Sequence, residues 1–337
     1  MNSSQESISH ARRSASIVST GAYLPSRVLT NADLEKMVDT SNEWILSRTG
    51  IRERRIAADD EFTSDMGAKA ARQALELGGI DARSIDLIIV ATCTGDTIFP
   101  STACYIQNKI GATGAAAFDV QAACSGFLYA LVTAEKFIAA GAYETILVVG
   151  AEKLSSIVNW QDRNTCVLFG DGAGAVILQH RPGSRGLLAF DLGADGAQTS
   201  ILSVPASGCR MPMTPEILDQ RLHLLQMAGK EVFKYAVNAM NRSAEECLEK
   251  AGIKPAQVRW FIPHQANQRI VDAVAQRMNV GLEHFVINLE RYGNTSSACM
   301  PIALHETAMA GKLDRGDLVL MVSFGGGLTW ASTVLEW

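Results

Sequence analysis

Three residues of this 337-residue chain pair a reactive side chain with a local setting that can use it. Cys124 stands in AFDVQAACSGFLYALVTAEKFIAAG, between the strand-like AFDV and an apolar stretch, 125–140, that reads as a helix. A cysteine on a sharp turn at a helix N-terminus feels the positive end of the helix dipole. That setting favours the thiolate, lowers the pKa and makes a nucleophile. The plainer reading is a small buried hydrophobe. His264 stands in WFIPHQANQRI, where Pro263 ends a strand and Gln265 onward looks helical. A neutral imidazole there can donate from Nε2 to a developing oxyanion; alternatively it is a structural histidine tied to backbone. Asn294, in RYGNTSSACMPIAL, offers a second amide donor to the same oxygen, or serves as a turn residue before the helix from Ser297 onward. Gly325-Gly326-Gly327 forms a tight turn between apolar runs at 318–322 and 328–335. Its N–H groups can approach a bound carbonyl closely and, with the N–H of Cys124, form an oxyanion hole for a thioester. A simple turn is the alternative. His10, His180, His223, His284 and His305 lack such a context, and no metal site is expected, because no ligand set has the right spacing.

Side chains so far apart in sequence need a scaffold that gathers them. Short apolar runs at 85–90, 145–149, 173–178, 260–262, 318–322 and 331–335 alternate with Ala-rich, helix-like stretches. They fit buried strands of a mainly parallel sheet covered by helices. GGIDARSIDLIIVA from Gly78 and AGIKPAQVRWFIPH from Ala251 align at an offset of 173 residues. Leu75, Ala130 and Leu147 fall on Leu248, Ala303 and Leu320 at the same offset. Phe169-Gly170-Asp171-Gly172 also matches Phe324-Gly325-Gly326-Gly327, at an offset of 155, which places an extra loop near 151–168. These repeats predict two similar halves, 14–180 and 225–337, joined by a Gly/Pro-containing connection at 181–224. Equivalent loops of two such halves meet, and a site between them is expected. Cys124 then falls on Ser297, beside Asn294, and His264 falls on Ala91, so all three candidates lie on loops that the duplication brings together.

Apolar residues make up 47% of the chain and charged residues 19%, enough to bury a large core and exclude a disordered chain. The net charge of −5 argues against a general nucleic-acid binder. No apolar run approaches ~18 residues, so no membrane span is expected. The N-terminal MNSSQESISHARRSA reads as a loosely held tail without a signal-peptide core. The seven cysteines are odd in number and form no C-x-x-C pair, which disfavours a disulfide framework or structural zinc and fits a reduced, cytoplasmic setting.

Taken together, AACSGFLYAL, PHQAN, GNTSSA, FGGGLTW, DTSNEWILSRTGIRERR at 39–55 and FGDGAGAVIL at 169–178 resemble the β-ketoacyl-acyl-carrier-protein synthase III family. The resemblance runs from about Ser16 to Trp337. It implies an α/β, thiolase-like, five-layered αβαβα sandwich of two duplicated halves, normally a homodimer. It implies a catalytic set of Cys124, His264 and Asn294, with the N–H groups of Cys124 and Gly326 as oxyanion hole. Thr40, Trp44, Arg48, Arg163 and Asn267 match coenzyme A contacts; Asn164 departs from the glycine many members carry. Phe99 matches a residue that closes the partner subunit's acyl pocket, and Cys93 and Leu128 fall in the pocket region. Lys234, Arg269 and Arg277 match a basic surface that receives the acidic carrier protein.

The activity so implied is decarboxylative condensation of an acyl-CoA primer, acetyl-CoA most often, with malonyl-acyl carrier protein, through an acyl-cysteine and with no cofactor. Neither nucleic acid nor membrane is an expected partner. A thiolase would need a second cysteine in the glycine turn, and an elongating synthase would carry histidine in place of Asn294. A polyketide or quinolone-type condensing enzyme, a Cys-His-Asn thioester hydrolase and a non-catalytic carrier-binding module are the remaining readings.

Overall fold

The computed structural model describes residues 13–337, so the N-terminal tail up to Arg12 lies outside the described residues. Two sheets form the frame. The first contains β1 (Ala15–Tyr23), β2 (Leu87–Ala91), β3 (Ala116–Val120), β4 (Thr145–Glu152) and β5 (Gly172–His180), in the order β1-β5-β4-β2-β3. The second contains β6 (Leu187–Ala194), β7 (Trp260–Pro263), β8 (Leu318–Gly325) and β9 (Thr329–Glu336), in the order β7-β8-β9-β6. Read from the opposite edge, the second order repeats the first. An isolated parallel bridge between Phe261 and Phe285 stands where β3 stands in the first sheet.

Alternation along the strands sorts the apolar residues into layers. Ile88, Val90, Leu147 and Val149 face α1 (Thr63–Gly78), which contributes Met66, Ala70 and Ala74. Leu87, Ile89, Ile146 and Val148 face the other way. They share one cluster with α2 (Gly126–Ala139), with Met300 and Leu304 of α4 (Cys299–Met309), and with Val319 and Met321 of β8. Leu320 and Val322 face α3 (Gly229–Ala251) and the helix Gln268–Met278. The result is five layers, α1, sheet, α2 with α4, sheet, α3 with its neighbour. The starts of β2 and β7, of β4 and β8, and of α2 and α4 are each 173 positions apart.

Three sequence expectations need correction. The sheets are mixed: β2–β3, β2–β4 and β7–β8 are parallel, while β1–β5, β4–β5, β8–β9 and β6–β9 are antiparallel. Strands such as β2 and β4 are buried along their whole length, so composition does not reveal direction. The stretch 181–224 is more than a connection, because β6 within it is the outer strand of the second sheet. Finally, FGDG and FGGG are not equivalent. Phe324 lies inside β8, opposite Trp330, as Ala151 lies opposite Ala173, whereas Phe169 precedes β5 and bridges Asn294.

Candidate active site

Cys124 sits in a one-turn 3₁₀ segment, Ala123–Ser125, that joins β3 to α2. Ala123 holds a positive φ of 46°, a left-handed turn immediately before the cysteine. Gly325 allows the turn its place: a Cβ there would lie 2.7 Å from the Cys124 nitrogen. The second half repeats the device at Ser296–Ala298, where Ser296 has φ 50°.

Cys124, His264, Asn294 and Gly326 line one cavity of about 1160 Å³. His264 follows β7, and its N–H donates to Val322 O at 2.7 Å. Its ring is buried, and burial lowers its pKa to about 4, so the imidazole is neutral. Its Nδ1 lies 3.0 Å from Cys299 Sγ. Asn294 serves as the turn residue considered for it and keeps an amide donor free. Its Oδ1 accepts from Ser296 N at 2.8 Å, an Asx turn, and its backbone is tied to Leu168 and Gly170. An oxygen committed to an N–H fixes the amide, leaving Nδ2 as the free donor. Cys124 departs from expectation. Burial pushes its thiol up to about 12, a Ser296 hydrogen bond opposes the rise, and the charge of Glu152 adds to it. Desolvation dominates, so the resting group is the thiol.

Glu152 was not evident as a functional residue in the sequence. It ends β4 fully buried and accepts from Thr94 Oγ1 at 2.6 Å, Cys93 N at 3.1 Å, and Ser296 Oγ and Ser297 Oγ at 3.0 Å each. One carboxylate thus fastens the loop after β2 to the turn after Asn294. The only signal was a lone acid closing the apolar run TILVVGAE. Cys93 lines the cavity with its sulfur 3.4 Å from Glu152 Oε1, and burial holds it as a thiol.

The cavity mouth carries Trp44, Arg48, Asn164, Asn267 and Arg269. Trp44 is placed by the helix Asn42–Thr49, which Ser41 caps. The Arg163 guanidinium lies 5.1 Å from the Trp44 ring centre and donates to Asp39 O at 2.8 Å. Asn267 caps the next helix through Arg269 N and donates to Arg48 O at 3.0 Å, joining the two halves at the mouth. Thr40 Oγ1 is buried and has no partner among the described residues. Leu128 does not reach the cavity; it is fully buried in the central layer, because the sequence of an all-round apolar helix does not say which face turns to the site. Phe99 is 84% exposed on a loop outside the cavity. Lys234 and Arg277 are exposed beyond the mouth, Arg277 donating to Asn238 Oδ1 at 2.6 Å. Among the described residues, no group of three or more His, Cys, Asp or Glu side chains is placed to hold a metal ion.

The doubled sandwich with its gathered strand-end loops is the thiolase-like class of fold, and comparison with known proteins resolves the branch. Residues 118–196 match the family model for 3-oxoacyl-[acyl-carrier-protein] synthase III, and 248–337 match that for its C-terminal part. A β-ketoacyl-[acyl-carrier-protein] synthase III of Desulfitobacterium hafniense is 51% identical over 324 residues, covering 96% of this chain and 98% of the relative. The crystal structure of the Aquifex aeolicus synthase III superposes with a TM-score of 0.89 at 48% identity, covering 96% and 100%. A priming β-ketosynthase from a polyketide biosynthetic pathway gives 0.89 at 36% identity, covering 96% of each chain. The chain belongs to the β-ketoacyl-acyl-carrier-protein synthase III family. It is an acyltransferase of the condensing type, acting at the initiating condensation of fatty-acid synthesis.

Proposed function

We propose that the chain joins an acyl-CoA primer, acetyl-CoA first among them, to malonyl-acyl carrier protein through a thioester on Cys124. The supporting observation is that a thiol, a neutral imidazole and an amide whose Nδ2 is the free donor line one cavity below a tryptophan–arginine mouth. Cys124 sulfur attacks the primer carbonyl, the N–H groups of Cys124 and Gly326 receive the oxyanion, and the thiol proton leaves on the CoA sulfur. Malonyl-carrier protein then enters and loses CO2. The enolate oxygen accepts hydrogen bonds from His264 Nε2–H and Asn294 Nδ2–H. Its carbon attacks the acyl-cysteine carbonyl, the C–S bond breaks, and the Cys124 thiolate takes a proton from solvent. Decarboxylation itself creates the carbanion, so neutral donors suffice and no cofactor takes part. CoA is a substrate, held by Thr40, Trp44, Arg48 and Arg163 with Asn267 beside its arm. Lys234, Arg269 and Arg277 receive the carrier protein. Cys93 borders the acyl chain. The enzyme works as a cytoplasmic homodimer, with Phe99 reaching the partner subunit.

Intact-mass measurement after incubation with acyl-CoAs from acetyl through branched C4–C5 to decanoyl tests this. An acyl increment mapping to Cys124, absent in Cys124→Ala, is expected. No adduct from any primer, or release of free acid alone, overturns it. The likeness to a polyketide priming synthase favours one second reading, the same chemistry with another primer or acceptor; the best primer in the panel separates the two.

A further inference from the structure

His264 and Cys299 form a buried pair with a 3.0 Å separation between Nδ1 and Sγ. A neutral imidazole carries one N–H, and the group on its far nitrogen decides which nitrogen that is. If Nδ1 holds the proton, Nε2 presents a lone pair to the cavity and repels an enolate oxygen. If Nδ1 accepts, Nε2 donates. Burial holds the Cys299 thiol in its protonated form, so its sulfur carries a hydrogen to donate. Nδ1 is the one acceptor within reach of that S–H among the described residues. No other hydrogen-bond partner reaches either ring nitrogen among the described residues.

The duplication makes the same point independently. Cys299 opens α4 as Gly126 opens α2, and His264 falls on Ala91. In the first half a Cβ on Gly126 would meet Ala91 Cβ at 3.2 Å. The two positions therefore touch in both halves. One half fills them with the smallest side chains available, and the other fills them with a thiol and an imidazole.

We propose that Cys299 is a positioning residue that donates its S–H to His264 Nδ1 and so fixes the imidazole as the Nε2–H donor used in decarboxylation. This rests on the proposed function for its kinetic consequence but not for the tautomer itself. The test is ¹⁵N-histidine NMR of the full chain at neutral pH, with the His264 signals assigned by their loss in His264→Gln. The Nε2–H tautomer is expected in the unaltered protein. In Cys299→Ala the tautomer shifts toward Nδ1–H. Decarboxylation of malonyl-carrier protein falls roughly 10–100-fold, the range seen when a metal-bound histidine loses its outer partner. Acylation of Cys124 keeps its parental rate. Cys299→Ser restores the Nε2–H tautomer and most of the lost rate. An Nδ1–H tautomer in the unaltered protein overturns the proposal without any variant, which covers the case of an alanine variant that does not fold. Unchanged tautomer and rate in Cys299→Ala overturn it equally. If the unaltered protein decarboxylates nothing, the proposed function fails, while the spectra still decide the tautomer.

Discussion

Ala123 and Ser296 adopt the same left-handed backbone at equivalent points of the two halves, with φ of 46° and 50°. Non-glycine residues persist there only where their surroundings dictate it, at a cost of order 1–3 kcal/mol. For Ala123 the surroundings are Gly325, whose absent Cβ would press on Cys124 N at 2.7 Å and Ala123 Cβ at 3.2 Å. The amide of Cys124 is thus held by a glycine 201 residues away in sequence.

Gly325→Ala is therefore expected to displace the Cys124 N–H. Acylation by acyl-CoA should fall by roughly 100-fold, the cost of one misplaced oxyanion donor. Stopped-flow quench with intact-mass readout measures it, and a parental rate would show that Gly325 does not set the turn.

Because burial pushes the Cys124 thiol up to about 12, its alkylation should be slow at neutral pH. The rate should climb about tenfold per pH unit with no plateau below pH 9, as thiolate fraction dictates. Peptide mapping separates Cys124 from the exposed Cys104 and Cys209. A plateau near neutrality would mean that the helix dipole outweighs burial after all.

Neutral His264 links stability to pH. Its pKa is about 4 in the folded chain against 6.5 when free. Between those values the unfolded chain binds the extra proton, so the contribution is complete above 6.5 and is lost as pH falls through 4. It amounts to about 3 kcal/mol. Urea unfolding at pH 7 and pH 4.5 should show a steeper loss for the parent than for His264→Gln, the carboxylates common to both cancelling. Equal losses would place the imidazole in a wetter environment than the cavity shown.

Arg163→Ala removes the cation above Trp44 and its tie to Asp39. The KM for acyl-CoA should rise about tenfold, since such a contact is worth roughly 0.5–2 kcal/mol. The kcat should hold, because the mouth touches no reacting atom. A fall in kcat alone would move Arg163 into the reaction chamber.

Much of this was legible in the sequence, for reasons that differ by residue. The offset between Gly78 and Ala251 carried the doubled architecture, because an internal repeat constrains three dimensions at once. It also carried the meeting of the loops that hold Cys124, His264 and Asn294. What one strand or helix decides alone was harder to read. The face of α2 that Leu128 occupies is hidden, because that helix is apolar all round. Strand direction was hidden where both faces are buried, as in β2 and β4, and β6 was missed, although its burial alternates, because it lies in the Gly/Pro-containing stretch read as a connection. The helix dipole at Cys124 can be read from order along the chain, but the desolvation that overrides it depends on walls supplied by other segments. Glu152 escaped notice because its donors come from the loop after β2 and the Ser296 turn.

Ser297 occupies the place of Cys124 in the second half, and Ala91 the place of His264. The pair is in contact: Ser297 Oγ, fully buried, donates to Ala91 O at 2.8 Å and shares its proton with Glu152. The half-turn image of the Cys124–His264 pair is therefore a rivet. At one of the two equivalent places the described residues form a chamber, and at the other they clamp the halves that form it. Reinstating a nucleophile there with Ser297→Cys would loosen the clamp and open no second chamber, so one-sided chemistry and a firm seam between the halves depend on the same asymmetry.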